Sequence, residues 1–166
     1  AVASIRERLR ANPLVVQLPI GREDGFAGVV DLVRMRALVW AGDAVAEAPI
    51  PDDLAEAARE RRRRLEEAVA ELHPAALEEF CAQPEISTPT LVTALREVTL
   101  AGDGVVVLCG SAYRDRGVEP LLDAVVAYLP SPLDVPPVRD ADGGAERPAD
   151  PAAPLAALAF KVTAAP

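Results

Sequence analysis

The chain has 166 residues, half of them apolar and a quarter charged, with a net charge of −9. That composition fits one domain with a real core or two small ones, and neither a disordered tail nor a membrane protein. The acidic balance argues against this segment gripping nucleic acid by itself, because such binding rests on Lys and Arg neutralising phosphates.

Residues 4–10, SIRERLR, read as the tail of a helix. Residues 13–20, PLVVQLPI, form a nearly continuous apolar run, as expected of a strand buried on both faces. After the turn cluster GREDG (21–25), the segments FAGVVDL (26–32) and RMRALVW (34–40) predict an antiparallel pair, and 41–50 reads as loop. From Pro51 the pattern turns helical, with Asp52 and Asp53 as N-terminal capping carboxylates. Leu54, Ala57, Ala58, Leu65, Ala68, Val69 and Leu72 make one apolar stripe. The other face carries Arg61 to Arg64, then Glu66, Glu67 and Glu71.

A second helix fits Pro74 to Phe80, and His73 beside it reads as a terminal cap or surface residue rather than a general base. A third helix starts at Thr88-Pro89, with Leu91, Leu95 and Val98 on one side. A strand at 104–109 ends in Gly110-Ser111-Ala112 and leads into a helix whose stripe is Val118, Leu121, Leu122, Val125, Val126 and Leu129. That helix stops at Pro130, and the proline-rich stretch 131–154 reads as a linker. A new apolar run, PLAALAFKV, begins at Pro154. The order predicts an α/β sheet interrupted by an insert over about 21–103. Because the chain opens on Ala1 and ends on a strand just begun, it reads as a fragment of a longer protein.

No run approaches the roughly 18 apolar residues of a membrane span, and nothing marks a signal peptide. Cys81 and Cys109 have no second Cys or His at ligand spacing, so neither a disulfide framework nor a zinc site is expected, and reduced thiols in a cytosolic protein are.

The chemistry sits at the end of the second buried strand. In open α/β sheets ligands bind beyond the carboxyl ends of strands. There Gly110 removes Cβ bulk and permits unusual dihedrals, Ser111 can brace the turn, and Ala112 leaves its N–H uncovered. One N–H aimed at a purine carbonyl oxygen separates guanine from adenine, and an unpaired buried donor costs about 1–3 kcal/mol. On the residues alone, a plain strand-to-helix turn built from small residues is the readier explanation of the tripeptide. No Gly-rich phosphate loop and no strand-end Asp for Mg²⁺ is present, so the segment by itself is not expected to hydrolyse a nucleoside triphosphate.

Three blocks, QLPIGREDGFAGVVDLVRMRALVW (17–40), GSAYRDRGVEPLLDAVVAYLPSPLDVPP (110–137) and PLAALAFKV (154–162), closely resemble elongation factor G, the bacterial GTPase that drives ribosomal translocation and takes part in ribosome recycling. The resemblance implies an α/β fold: residues 1–20 and 104–130 as parts of a P-loop-type GTPase domain, 21–103 as the α+β subdomain inserted into it, 131–154 as linker and 155–166 as the first strand of a β-barrel domain. Gly110, Ser111 and Ala112 would contact the guanine base of GTP or GDP, with Tyr113 where Phe or Leu is usual. The complete parent would be a cytoplasmic, monomeric GTPase using GTP and Mg²⁺. The fragment would bind neither, and it would hold no catalytic or metal-binding residue. Glu67 and Glu71 would meet the stalk protein of the large ribosomal subunit; ribosomal RNA would be met by parts outside this segment. A non-catalytic stalk-binding module and a ribosome-protection-type paralogue are the alternatives.

Overall fold

The computed structural model describes residues 2–42, 44–139, 146–155, 157 and 161–163. Two compact units divide the chain, 1–129 and 130–166. In the first, the elements run α1 (Val2–Leu9), β1 (Pro13–Val15), β2 (Gln17–Ile20), β3 (Gly28–Asp31), β4 (Arg36–Ala41), β5 (Ala44–Ala48), α2 (Asp52–Ala70), α3 (Pro74–Ala82), α4 (Thr88–Ala101), β6 (Val105–Val107) and α5 (Val118–Tyr128). The mixed α/β class is as the sequence predicts.

The apolar run 13–20 is two strands, not one. β1 pairs in parallel with β6, Leu14 facing Val106, whereas β2 joins an antiparallel sheet in the order β2-β3-β4-β5. Val16 is the switch between them. Its N–H donates to the Val107 carbonyl at 3.1 Å, and its own carbonyl accepts from Leu32 N–H at 2.9 Å. A nearly continuous apolar run gives no clear sign of such a change of partner, because apolar residues suit both sheets. The pair expected from 26–32 and 34–40 forms as β3 and β4, with Val29 opposite Leu38. Residues 44–48, read as loop, add the fifth strand, with Val45 opposite Trp40. The Ala-rich segment carries little strand propensity of its own and is recruited by the hairpin.

Leu14, Val16, Val30, Leu32, Leu65, Val69, Ile86, Leu91, Leu95 and Val98 form the main core, beneath α2 and α4. Asp52 and Asp53 do not cap α2. Pro51 is its N-cap and makes no side-chain cap bond, so the two carboxylates act in the first turn through the helix dipole. His73 is a cap, but of α3: its Nδ1 accepts the Ala76 N–H at 3.3 Å, and Nε2 lies 2.9 Å from Glu97 Oε2.

The charged face read on α2 is split. Arg62 and Glu66 turn inward and are buried, with Arg62 Nε donating to Glu66 Oε1 at 2.6 Å. The guanidinium also donates to the carbonyls of Leu32, Val33 and Ile86 at 2.9, 2.7 and 2.6 Å, and Glu66 accepts the Ile86 N–H at 3.2 Å. This fork ties α2 to the turn after β3 and to the segment leading into α4. Burying the pair is tolerable because every carbonyl it faces is served. Two more of the run are offset locally: Arg63 pairs with Glu67, and Arg64 with Glu60.

The apolar stripe of α5 is only partly covered. Ala124 and Tyr128 are buried, whereas Leu121, Leu122, Val125 and Val126 are exposed, Val126 to 81%. Arg96 of α4 holds the C-terminal end of this helix by donating to the carbonyls of Ala127 and Leu129, each at 3.1 Å.

The second unit contains a short antiparallel ladder of β7 (Val138–Arg139) and β8 (Glu146–Arg147) within the stretch read as linker. Most of the run expected to begin a barrel strand at 155–166 lies outside the described residues, and the described ones among it form no strand.

Candidate functional site

β6 ends at Val107, and the chain continues through Leu108 and Cys109 into Gly110-Ser111-Ala112. The loop from 110 to 117 closes on itself. Ser111 N–H donates to the Arg116 carbonyl at 2.8 Å, and Arg116 N–H returns to the Ser111 carbonyl at 3.1 Å. A short 3₁₀ turn, Ala112–Arg114, lies between them, and α5 begins one residue after Gly117.

The two glycines that flank the loop stand back to back. A Cβ on Gly110 would lie 2.8 Å from the Arg116 carbonyl oxygen and 3.4 Å from Gly117 Cα. Gly117 has φ +95°, and a Cβ there would fall 2.9 Å from Gly110 Cα. Gly110 itself does not adopt a left-handed conformation. It is small for the sake of close approach and not for dihedral freedom, so only half of the sequence-based rationale holds.

Ser111 braces the turn through its main chain, and no cap bond comes from its hydroxyl. Its N–H is therefore engaged. Among the described residues no acceptor takes the Ala112 N–H, which leaves that donor uncommitted, as the sequence predicts. Tyr113 is fully exposed. A cleft of about 220 Å³ opens here, walled by Leu108, Gly110, Ala112, Gly117, Val118 and Leu121. Its lining is mainly apolar main chain and aliphatic carbon, which suits the face of a flat ring with one N–H at its edge.

Two supporting residues escaped the sequence reading. Gln17 is buried, and its Oε1 accepts Cys109 N–H at 3.1 Å, fixing the strand end just before the loop. A lone polar residue inside an apolar run was the available signal. Arg116, the other, anchors both neck and flank of the loop. Cys109 packs against the Phe26–Val29–Trp40 cluster, and burial raises its thiol to about 11. Both cysteines are free, Cys81 on the surface. Among the described residues no group of His, Cys, Asp and Glu is arranged to hold a metal ion, and no helix is long and apolar enough to cross a membrane.

Glu67 and Glu71, the other predicted pair, lie far along the chain on α2. Both are exposed, Glu71 at the helix C-cap. Glu67 accepts from Arg63 Nε at 3.1 Å, so one of the two carboxylates is partly neutralised.

No protein-family model matches the chain. Over its whole length it is 73% identical to elongation factor G 2 of Streptomyces coelicolor, and it spans 25% of that protein's length. A crystal structure of a Thermus thermophilus protein aligns with a TM-score of 0.69 at 27% identity, over 81% of this chain and 21% of the other.

Proposed function

The chain is a close relative of elongation factor G along its entire length, and from that premise we propose that it is a segment of a translational GTPase that drives ribosomal translocation. The 73% identity carries the reading. In it, residues 1–20 and 104–130 belong to the GTPase domain, 21–103 to its insert and 155–166 to the start of a β-barrel domain. GTP, GDP and Mg²⁺ are ligands of the whole protein, whose phosphate- and metal-holding motifs lie outside these residues. The open apolar face of α5 supports the same reading, since a GTPase sheet has further strands to set against it.

The loop at 110–112 is the guanine-facing turn. Ala112 offers its uncommitted N–H to the purine carbonyl oxygen, and Gly110 and Gly117 keep the neck narrow enough to aim it. Hydrolysis asks nothing of this loop except position, because phosphoryl transfer is driven by groups at the phosphates. Glu67 and Glu71 face solvent as a partner site for a ribosomal stalk domain. The test is to express the full-length protein and measure GTP hydrolysis with and without ribosomes, together with translocation of a pre-translocation complex. Ribosome-stimulated hydrolysis with movement is expected; a product that binds ribosomes but never turns over GTP sinks the proposal.

A further inference from the structure

The loop is bolted to the connection between β2 and β3. Arg114 donates to the Asp24 carbonyl at 2.9 Å and pairs with the Asp24 carboxylate, while the Arg116 guanidinium donates to the Phe26 carbonyl. The two bonds differ in weight. Asp24 is 99% exposed, so the first is a solvent-screened ion pair of little worth. Arg116 is only partly exposed and meets a residue that is buried and held: Phe26 stacks on Trp40 with centroids 6.2 Å apart, and its N–H bonds the Glu23 carbonyl at 3.2 Å. Trp40 in turn lies on β4, with its indole N–H 3.4 Å from Glu119 in the first turn of α5.

Arg116 thus pins Ser111 in both directions through its main chain and is anchored by its side chain on the β2–β3 connection, at a residue that stacks on Trp40 of β4. We infer that Arg116 is a positioning residue: by hanging the neck of the loop on the Phe26 carbonyl, it makes the aim of the Ala112 N–H depend on the β2–β3 connection. The inference rests on the reading of Ala112 as the donor to the base.

Its test has two arms. In the 166-residue chain, amide exchange is followed by NMR for Arg116→Ala, Arg116→Lys and Arg114→Ala. Arg116→Ala is expected to speed exchange at Ser111 and Arg116 about tenfold, the scale of one lost hydrogen bond, with Val29 and Val30 unchanged. Arg116→Lys, which keeps one donor, restores most of the protection, and Arg114→Ala alters it less than about twofold. Unchanged exchange at Ser111, or a rise matched at Val30, overturns the inference whatever the nucleotide does. In the full-length protein, Arg116→Ala is expected to weaken GDP binding about fivefold, for loss of part of one contact; an unchanged affinity beside a loosened loop also overturns it. A wild-type protein that does not bind GDP removes the reading of Ala112 itself, while the exchange result still decides whether Arg116 holds the loop.

Discussion

Gly110 and Gly117 meet with no room between them, and each is needed for its own reason. Gly110→Ala drives a methyl into the Arg116 carbonyl oxygen at 2.8 Å. The overpacking is expected to cost about 1–3 kcal/mol in urea unfolding and to loosen the loop. Gly117→Ala adds a left-handed residue to a 2.9 Å clash and should cost at least as much. Equal stability of either variant and the wild type would contradict the packing described. Cys109 gives a second check at this scale. With its thiol raised to about 11 by burial, it stays protonated at neutral pH, so iodoacetamide should label Cys81 quickly and Cys109 slowly at pH 8. The unfolded thiol ionises first, so its contribution to stability is complete below the ordinary thiol range and declines as pH rises through about 11. Rapid labelling of both cysteines would oppose this. The tripeptide Gly110-Ser111-Ala112 was legible as a close-approach turn because small residues after an apolar run leave few other uses. The part played by Gly117 and Arg116 was not, because it depends on which backbone atoms a returning loop brings together.

Within α2, the four consecutive arginines show why a charge pattern misleads. At helical spacing Arg62 falls between Ala58 and Glu66 on the same side as Leu65 and Val69, and it goes inside because three carbonyls wait for its fork. No pattern of polarity along the helix reveals those carbonyls, since they belong to the turn after β3 and to the stretch before α4. Arg62→Leu should cost about 3–5 kcal/mol, leaving Glu66 buried without its partner. Arg62→Lys should recover little, because one ammonium cannot reach three acceptors in a plane. A cost under about 1 kcal/mol, the worth of an exposed pair, would show that the pair is solvated after all. The exposed acids of the same helix belong to a different question. In a titration with the ribosomal stalk domain, Glu67→Lys combined with Glu71→Lys should weaken binding markedly, and equal affinity would remove them as partner residues. Helix starts at 88 and 118 and the β3–β4 pair were legible from proline placement and period, whereas the cap expected of Thr88 falls to Ser87, which makes no side-chain cap bond. β5 was not, because alanines take the conformation of their neighbour.

Across the whole molecule, the four-stranded sheet, β1 and α2 to α4 bury their apolar faces among themselves, whereas β6 and α5 leave apolar side chains in solvent. β1 and β6 form a two-stranded sheet, and α5 leaves Leu121, Leu122, Val125 and Val126 in solvent. A sequence shows that a stripe is apolar but not whether its partner lies within the same stretch of chain. In hydrogen exchange of the 166-residue chain, β1 and β6 should open before β3 and β4; the reverse order would mean that the parallel pair is self-sufficient. GDP should leave the melting temperature of this chain unchanged, because one N–H without a phosphate cradle binds too weakly to shift it. In the proposed reading, purine selectivity rests on that N–H. Ala112→Pro removes it with little other disturbance: position 112 opens a 3₁₀ turn, and Ser111 before it is already extended at φ −130° and ψ 92°. In the full-length protein, GDP should bind the wild type more tightly than the diphosphate of 2-aminopurine riboside, which lacks the carbonyl oxygen. In Ala112→Pro that preference should narrow about tenfold. An undiminished preference would place the recognition of the purine oxygen elsewhere and contradict the account.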